Sequence, residues 1–199
     1  MPGLAESMLV PAAYALGCAT AAYYLVRLRA GVDVRTLGSG TAGSRNAGRV
    51  LGRGAFATAF VLDFAKGALA AGAAAWFAAG VVVSAGATLA VVAGHVWPAQ
   101  LGFRGGKGIA TSLGAFAVYE PLVFVSLLGS FLVVYAFVRR FTVAGMAAYA
   151  LAPLGGLALG AAPAKAAAAW GVAAIVIFAH RDALRRGVDA DSARSDDAR

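Results

Sequence analysis

The sequence predicts an all-α polytopic membrane protein of about seven transmembrane helices, with the N-terminus outside and the C-terminus in the cytoplasm. Three observations carry that expectation. The chain of 199 residues is 61% hydrophobic and 13% charged, with a mean hydropathy of +0.78, whereas soluble domains sit nearer half apolar and a quarter charged. Its apolar residues fall into seven runs, about 7–26, 55–79, 80–97, 108–119, 121–138, 142–162 and 165–179, most of them near the roughly 20 residues that a helix needs to cross hydrocarbon. Most of its cations fall between these runs, on alternate connections.

The N-terminal MPGLAES lacks a basic leader, and the apolar run after it is longer than the core of a signal peptide, so it reads as a retained first span. Arg27, Arg29, Arg35, Arg45, Arg49 and Arg53 crowd the connection that follows. The second run carries Asp63 and Lys66, in FVLDFAKGAL. Ionisable residues inside a membrane helix are costly and are paired or functional, and an i,i+3 spacing puts these two on one face. A self-neutralising pair and a substrate role both stay open. The third run ends at His95, and Arg104 and Lys107 follow it. The fourth, 108–119, is the shortest; joining 108–138 into one bent span and re-dividing 55–97 gives five spans with the same orientation.

Arg139 and Arg140 follow the fifth run. The sixth holds Gly156 and Gly160 at GxxxG spacing, which lets membrane helices approach closely. Arg181, Arg185 and Arg186 follow the last. With the N-terminus outside, all these cations are cytoplasmic, and Glu6, Glu120 and Lys165 are left outside, in keeping with the positive-inside rule. Residues 1–188 are expected to form one integral membrane domain and 189–199, DADSARSDDAR, a disordered polar tail.

The net charge of +8 sits in short loops rather than on one solvated face, which favours anionic ligands over nucleic acid. Cys18, the single cysteine, excludes an intramolecular disulfide and a zinc cluster. Gly38, Gly40 and Gly43 formally satisfy GxGxxG, but a dinucleotide fingerprint needs a preceding strand, and here an apolar span precedes it. What remains is a glycine loop able to turn backbone N–H groups toward an anion. Ser39, Thr41 and Ser44 add hydroxyls, and Arg45 and Arg49 add forked guanidinium groups suited to phosphate. A flexible loop made basic by topology alone would read the same way.

FRGGKGIATS, Phe103 to Ser112, is the denser signal. It fails the Walker pattern, since position 101 is Leu and position 108 is Gly. Yet Gly105, Gly106 and Gly108 allow close backbone approach, Arg104 and Lys107 bring charge, and a helix begins at once with Thr111 and Ser112 nearby, an arrangement that favours an anion. His95 and His180 each end an apolar run at the same boundary. No carboxylate cluster suits a divalent metal, and no Gly-x-Ser-x-Gly elbow is visible.

These loops together resemble the PlsY family of bacterial glycerol-3-phosphate acyltransferases, which use acyl phosphate as donor. The family's first motif, GSGNxGATN with a following Arg, is similar to GSGTAGSRNAGR, Gly38 to Arg49. Its LDxxKGA is matched by Leu62, Asp63, Lys66, Gly67 and Ala68. Its second motif, GHxFPxxxxFxGGKGxAT, is matched by Gly94, His95, Pro98, Phe103, Gly105, Gly106, Lys107, Gly108, Ala110 and Thr111, with Trp97 for Phe. Its third, HRxN followed by basic residues and Gly-x-Glu, is matched by His180, Arg181, Arg186 and Gly187. Thr41 stands where the family has Asn, Ser44 and Arg45 where it has Ala and Thr, Ala183 where it has the third-motif Asn, and Asp189 where it has Glu.

The resemblance implies acyl transfer from acyl phosphate to the 1-hydroxyl of glycerol 3-phosphate, giving lysophosphatidic acid and phosphate, at the cytoplasmic face of a bacterial plasma membrane. It implies catalytic roles for Ser39, Arg49, Lys107 and His180, and phosphate binding by Gly38, Gly40, Gly43, Arg45, Asn46, Arg104, Gly105, Gly106, Gly108, Thr111 and Arg181. Asp63, Lys66 and His95 are expected in support. No metal or cofactor is implied. The expected partners are the two substrates and membrane lipid, with no nucleic acid and the oligomeric state left open. Two other classes fit the same residues: an impaired relative that binds lipid phosphate, for which Ala183 speaks, and an organic-phosphate transporter.

Overall fold

The computed structural model describes residues 4–77 and 79–185; the polar tail expected over 189–199 lies outside the described residues. Among these there are α-helices and short 3-10 turns but no strand. The helices are α1 (Leu4–Cys18), α2 (Ala21–Ala30), α3 (Ser44–Leu51), α4 (Arg53–Trp76), α5 (Val81–Val96), α6 (Ile109–Tyr119), α7 (Pro121–Val138), α8 (Phe141–Ala158) and α9 (Pro163–Ala179). Five stretches are long and apolar enough to cross a membrane: Glu6–Ala30, Arg53–Trp76, Val81–Leu101, Pro121–Val138 and Phe141–Ala158. The other two expected runs form α6 and α9, apolar but only 11 and 17 residues long. Leu132 and Phe137 on α7 are 66% and 84% exposed, an outer surface that hydrocarbon accepts as readily as a protein core.

The first span is not one helix. It breaks between Cys18 and Ala21, and a break at membrane depth strands backbone groups that no water can satisfy. Side chains from two other spans take them up. Lys66 Nζ donates to the carbonyls of Gly17 and Ala19 at 3.0 and 2.9 Å. Gln100 Nε2 donates to the Cys18 carbonyl at 2.6 Å. Asp63 Oδ1 accepts the Ala21 N–H at 3.3 Å and pairs with Lys66 at 2.8 Å. The Asp63–Lys66 pair, read from its spacing, is therefore real, and it also seals the interrupted span. Arg27 and Arg29, expected in the following loop, instead lie in the last turn of α2, where Arg27 donates to the Gly31 carbonyl at 2.8 Å.

Small residues set the helix crossings. Gly67 of α4 lies on the Thr111 carbonyl of α6, and Gly114 of α6 lies on the Phe64 carbonyl of α4. Gly17 and Gly94 make the same reciprocal contact between α1 and α5. A side chain at any of these four would enter the facing backbone. The GxxxG reading of α8 needs correction. Gly156 does pack on Val123 of α7, but Gly160 stops the helix. Its φ of +99° is left-handed, its N–H reaches the Leu157 carbonyl at 3.0 Å, and the Ala161 N–H reaches Gly156 at 2.8 Å. That is the Schellman ending, and it cuts the expected 142–162 run back to Ala158.

Candidate active site

The glycine loop between α2 and α3 is held by one buried amide. Asn46 Nδ2 donates to the carbonyls of Val34, Leu37 and Thr41 at 2.8–3.0 Å, and its Oδ1 accepts the Ser39 N–H at 2.9 Å. Asn46 is 1% exposed; it shapes the loop with both ends of its amide. Arg35, which the motif reading passed over, clamps the next loop. It chelates the Asp33 carboxylate at 2.7–3.1 Å and donates to the carbonyls of Leu101 and Arg104 at 2.6 and 3.1 Å. The Arg35 guanidinium holds the Asp33 carboxyl below its ordinary range. The Ala42 N–H then donates to the Gly105 carbonyl at 3.0 Å, so the two glycine loops touch directly.

The second loop folds back on the end of α5. The Gly105 and Gly106 N–H groups donate to the carbonyls of Val96 and His95, each at 3.0 Å. Gly105 and Gly106 lie so close to this helix end that any side chain would strike it. Gly108, with φ +84°, turns the chain into α6.

Two adjoining clefts open where the loops meet. The first, of about 340 Å³, has a mixed lining: Ser39, Arg45, Arg49, Lys107 and His180 share it with Phe56, Phe60, Ile109 and Phe141. The second, of about 270 Å³, is mainly polar and includes Gly40, Arg104, Gly105, Gly106, Lys107 and Arg181 beside Val96 and Trp97. Ser39, Thr41 and Lys107 line both. The Ser39 and Thr41 hydroxyls lie 3.1 Å apart. The Arg45 guanidinium stacks 4.8 Å from the Phe141 ring centre, at the boundary between polar and apolar walls.

His180 has its ring set by one bond. Only Nδ1 can donate to the Val176 carbonyl, 2.8 Å away, so Nε2 remains as the acceptor. Burial pushes its pKa down to about 4, and the nearby Lys107 and Arg45 cations add to this against the opposing pull of the Val176 bond. His180 is therefore neutral at pH 7.

Of the expected site residues, Gly43, Asn46, Gly108, Asp63 and His95 also line the first cleft. Three do not line either. Gly38 sits behind Asn46, Lys66 is buried at the span break, and Thr111 is fully buried against α4 with its hydroxyl unpartnered among the described residues. Ala183, the position where the third motif departs from the family's, lines the first cleft beside His180. Arg186, Gly187 and Asp189 lie outside the described residues.

Residues 7–190 match the family model described as glycerol-3-phosphate acyltransferase. The chain belongs to that family. It is 40% identical to glycerol-3-phosphate acyltransferase 1 of Desulfitobacterium hafniense (strain Y51), over 96% of this chain and 95% of the relative. It is 43% identical to the glycerol-3-phosphate acyltransferase of Clostridioides difficile (strain 630), over 71% and 72% of the two chains. Its fold is similar to that of crystalline PlsY (YgiH), an integral membrane glycerol 3-phosphate acyltransferase. The TM-score is 0.84 against the glycerol 3-phosphate form, at 33% identity and with 93% of this chain and 92% of that one covered. Against the lysophosphatidic acid form it is 0.82, at 32% identity and the same coverage.

Proposed function

We propose that this multi-pass protein of the bacterial plasma membrane transfers an acyl group from acyl phosphate to the 1-hydroxyl of glycerol 3-phosphate. The products are lysophosphatidic acid and inorganic phosphate. The observation that carries this reading is the pair of adjoining clefts with Lys107 common to both. A donor with a greasy chain and a phosphate suits the cleft that offers both cations and aromatic rings. A small, fully polar acceptor suits the other.

The chemistry needs no enzyme nucleophile, because the donor carries its own leaving group. It needs two mutually repelling anions held in line and the charge on the departing phosphate neutralised. Lys107 does both from its shared position, with Arg45 and Arg49 on the donor side and Arg104 and Arg181 on the acceptor side. The acceptor hydroxyl oxygen attacks the acyl carbon, the bond from that carbon to the phosphate oxygen breaks, and the hydroxyl proton must leave. A histidine with a pKa near 4 is a weaker base than phosphate, whose second ionisation lies near ~6. His180 Nε2 therefore orients the hydroxyl, and the proton departs on phosphate. The cationic loops cluster at the site end, while Glu120 and Lys165 pair at 3.5 Å elsewhere in the fold. By the positive-inside rule the site then faces the cytoplasm.

The test is labelled glycerol 3-phosphate with acyl phosphate, purified protein in detergent, and neither acyl-CoA nor acyl carrier protein. Labelled lysophosphatidic acid that vanishes in Lys107→Ala is the expected result. A folded protein that makes none, beside an active relative, would refute the enzyme and favour the second reading, lipid-phosphate binding without turnover, for which Ala183 in the cleft wall speaks.

A further inference from the structure

On α8 the face turned into the bundle carries Ala148, Tyr149, Ala152 and Gly156, all buried. The helical repeat puts Gly145 on the same face, one turn nearer the cleft. There the packing stops. Gly145 is only half-buried, and a Cβ placed on it would meet no atom within 4 Å. On the near side of this gap, Phe141 and Thr142 lie on either side of the Gly145 direction, and both line the first cleft. On the far side, Tyr149 is 3% exposed and closes the face through a hydrogen bond between its hydroxyl and Ser112 of α6.

The other two helices are apolar one turn beyond the cleft as well. Phe64 of α4 stacks on the cleft-lining Phe60, with ring centres 6.4 Å apart, and Leu113 of α6 follows the cleft-lining Ile109 by four residues. The gap therefore continues the first cleft away from Arg45, Arg49 and Lys107 and into the apolar part of the bundle. We propose that Gly145 is the acyl-chain specificity residue of this enzyme: the donor's chain lies in the gap that its missing side chain leaves, and the Tyr149–Ser112 tie limits how far the chain runs before it must bend. The inference rests on the reading that the first cleft takes acyl phosphate. Lipid tails are as apolar as the gap, so a chain gains little burial by entering it. The gap selects by fit, through where it leaves the acyl carbon relative to the attacking hydroxyl.

Two measurements test it. Gly145→Leu fills the gap without displacing a neighbour. The ratio of kcat/KM for palmitoyl phosphate to that for butyryl phosphate should fall about tenfold or more, because a long chain is pushed aside and its reacting carbon with it. Gly129→Leu, at an exposed position of α7 with equally open space, adds the same bulk elsewhere and should keep the wild-type ratio within about threefold. A ratio that Gly145→Leu leaves unchanged, or that both variants lower alike, overturns the proposal. Photolabelling gives an answer that needs no turnover. Hexadecyl phosphate with a diazirine at mid-chain should label α8 within 142–149 in the wild type and lose that label in Gly145→Leu. No label there, or a label that survives the substitution, overturns it. A wild type that makes no lysophosphatidic acid would indict the acyltransferase reading instead, and the photolabel would still decide whether the gap holds a chain.

Discussion

His180 spends its Nδ1–H on Val176 and keeps Nε2 for the cleft. If it orients rather than deprotonates, His180→Gln, which also presents an acceptor, should keep at least about a tenth of kcat, while His180→Ala should lose far more. Equal loss in both would restore the general base. The pH dependence has a definite sign. The folded value lies near 4 and the unfolded value near ~6.5, so between them the unfolded chain binds the extra proton. Stability from this group is complete above about 6.5 and drains away as pH falls toward 4. Thermal melts across that window should show the slope in wild type and less of it in His180→Gln. Catalysis should show no inflection near 6.5 from this residue. At Ala183 the expectation is a gain: Ala183→Asn should raise kcat/KM if the cleft lacks a polar group there. No change would mean that Arg45, in the same cleft, already supplies it.

Among the secondary-structure elements, the loop at 34–43 depends on a single amide. Asn46→Ala would take the amide partner from the Ser39 N–H and the Thr41 carbonyl, while the Val34 and Leu37 carbonyls keep the N–H groups of Leu37 and Gly40, at roughly 1–3 kcal/mol for each group left unpaired. The expected outcome is a clear fall in melting temperature together with higher KM for both substrates; a protein that melts normally would show the loop is held some other way. Gly114→Val would drive a side chain into the Phe64 carbonyl of α4, and overpacking of this kind costs about 1–3 kcal/mol. The apolar runs were legible as elements because composition and length decide them. The break at Cys18–Ala21 was not, since GCATAAYY reads as continuous apolar chain and its acceptors are backbone groups with no sequence signature. Gly160 could have been read correctly: a glycine three residues before Pro163 is a helix stop before it is a packing residue. Thr111 was misplaced by one helical step. Ala110 lines the first cleft, and the next residue along turns into α4.

Across the whole molecule, the motifs announced which residues converge but not how they are joined. Arg35 has no partner in any motif, yet it ties the first loop to the second through two carbonyls. Asn46 sat inside a motif and so looked like a ligand, while its bonds run to the loop itself. Sequence patterns register side chains; this site is assembled largely by side chains gripping backbone. Disrupting that assembly should be visible globally. Arg35→Ala should raise KM for glycerol 3-phosphate with little change in melting temperature, because Arg35 and Asp33 remain partly exposed. A large stability loss without a kinetic effect would contradict that role.

Two of the three tryptophans, Trp76 and Trp97 but not Trp170 of α9, mark distant places. Trp76 ends α4 and is 86% exposed; at ~1.5 Å per residue the 24-residue helix carries it about 35 Å from Arg53. Trp97 lines the polar cleft and leans on Phe178, with ring centres 6.2 Å apart. The protein therefore carries an optical reporter at each of these two places. With Trp97 and Trp170 changed to Phe, iodide outside right-side-out vesicles should quench Trp76 emission, and the reverse pattern would invert the topology. With Trp97 alone retained, its emission should shift as glycerol 3-phosphate arrives, making substrate occupancy readable without a label.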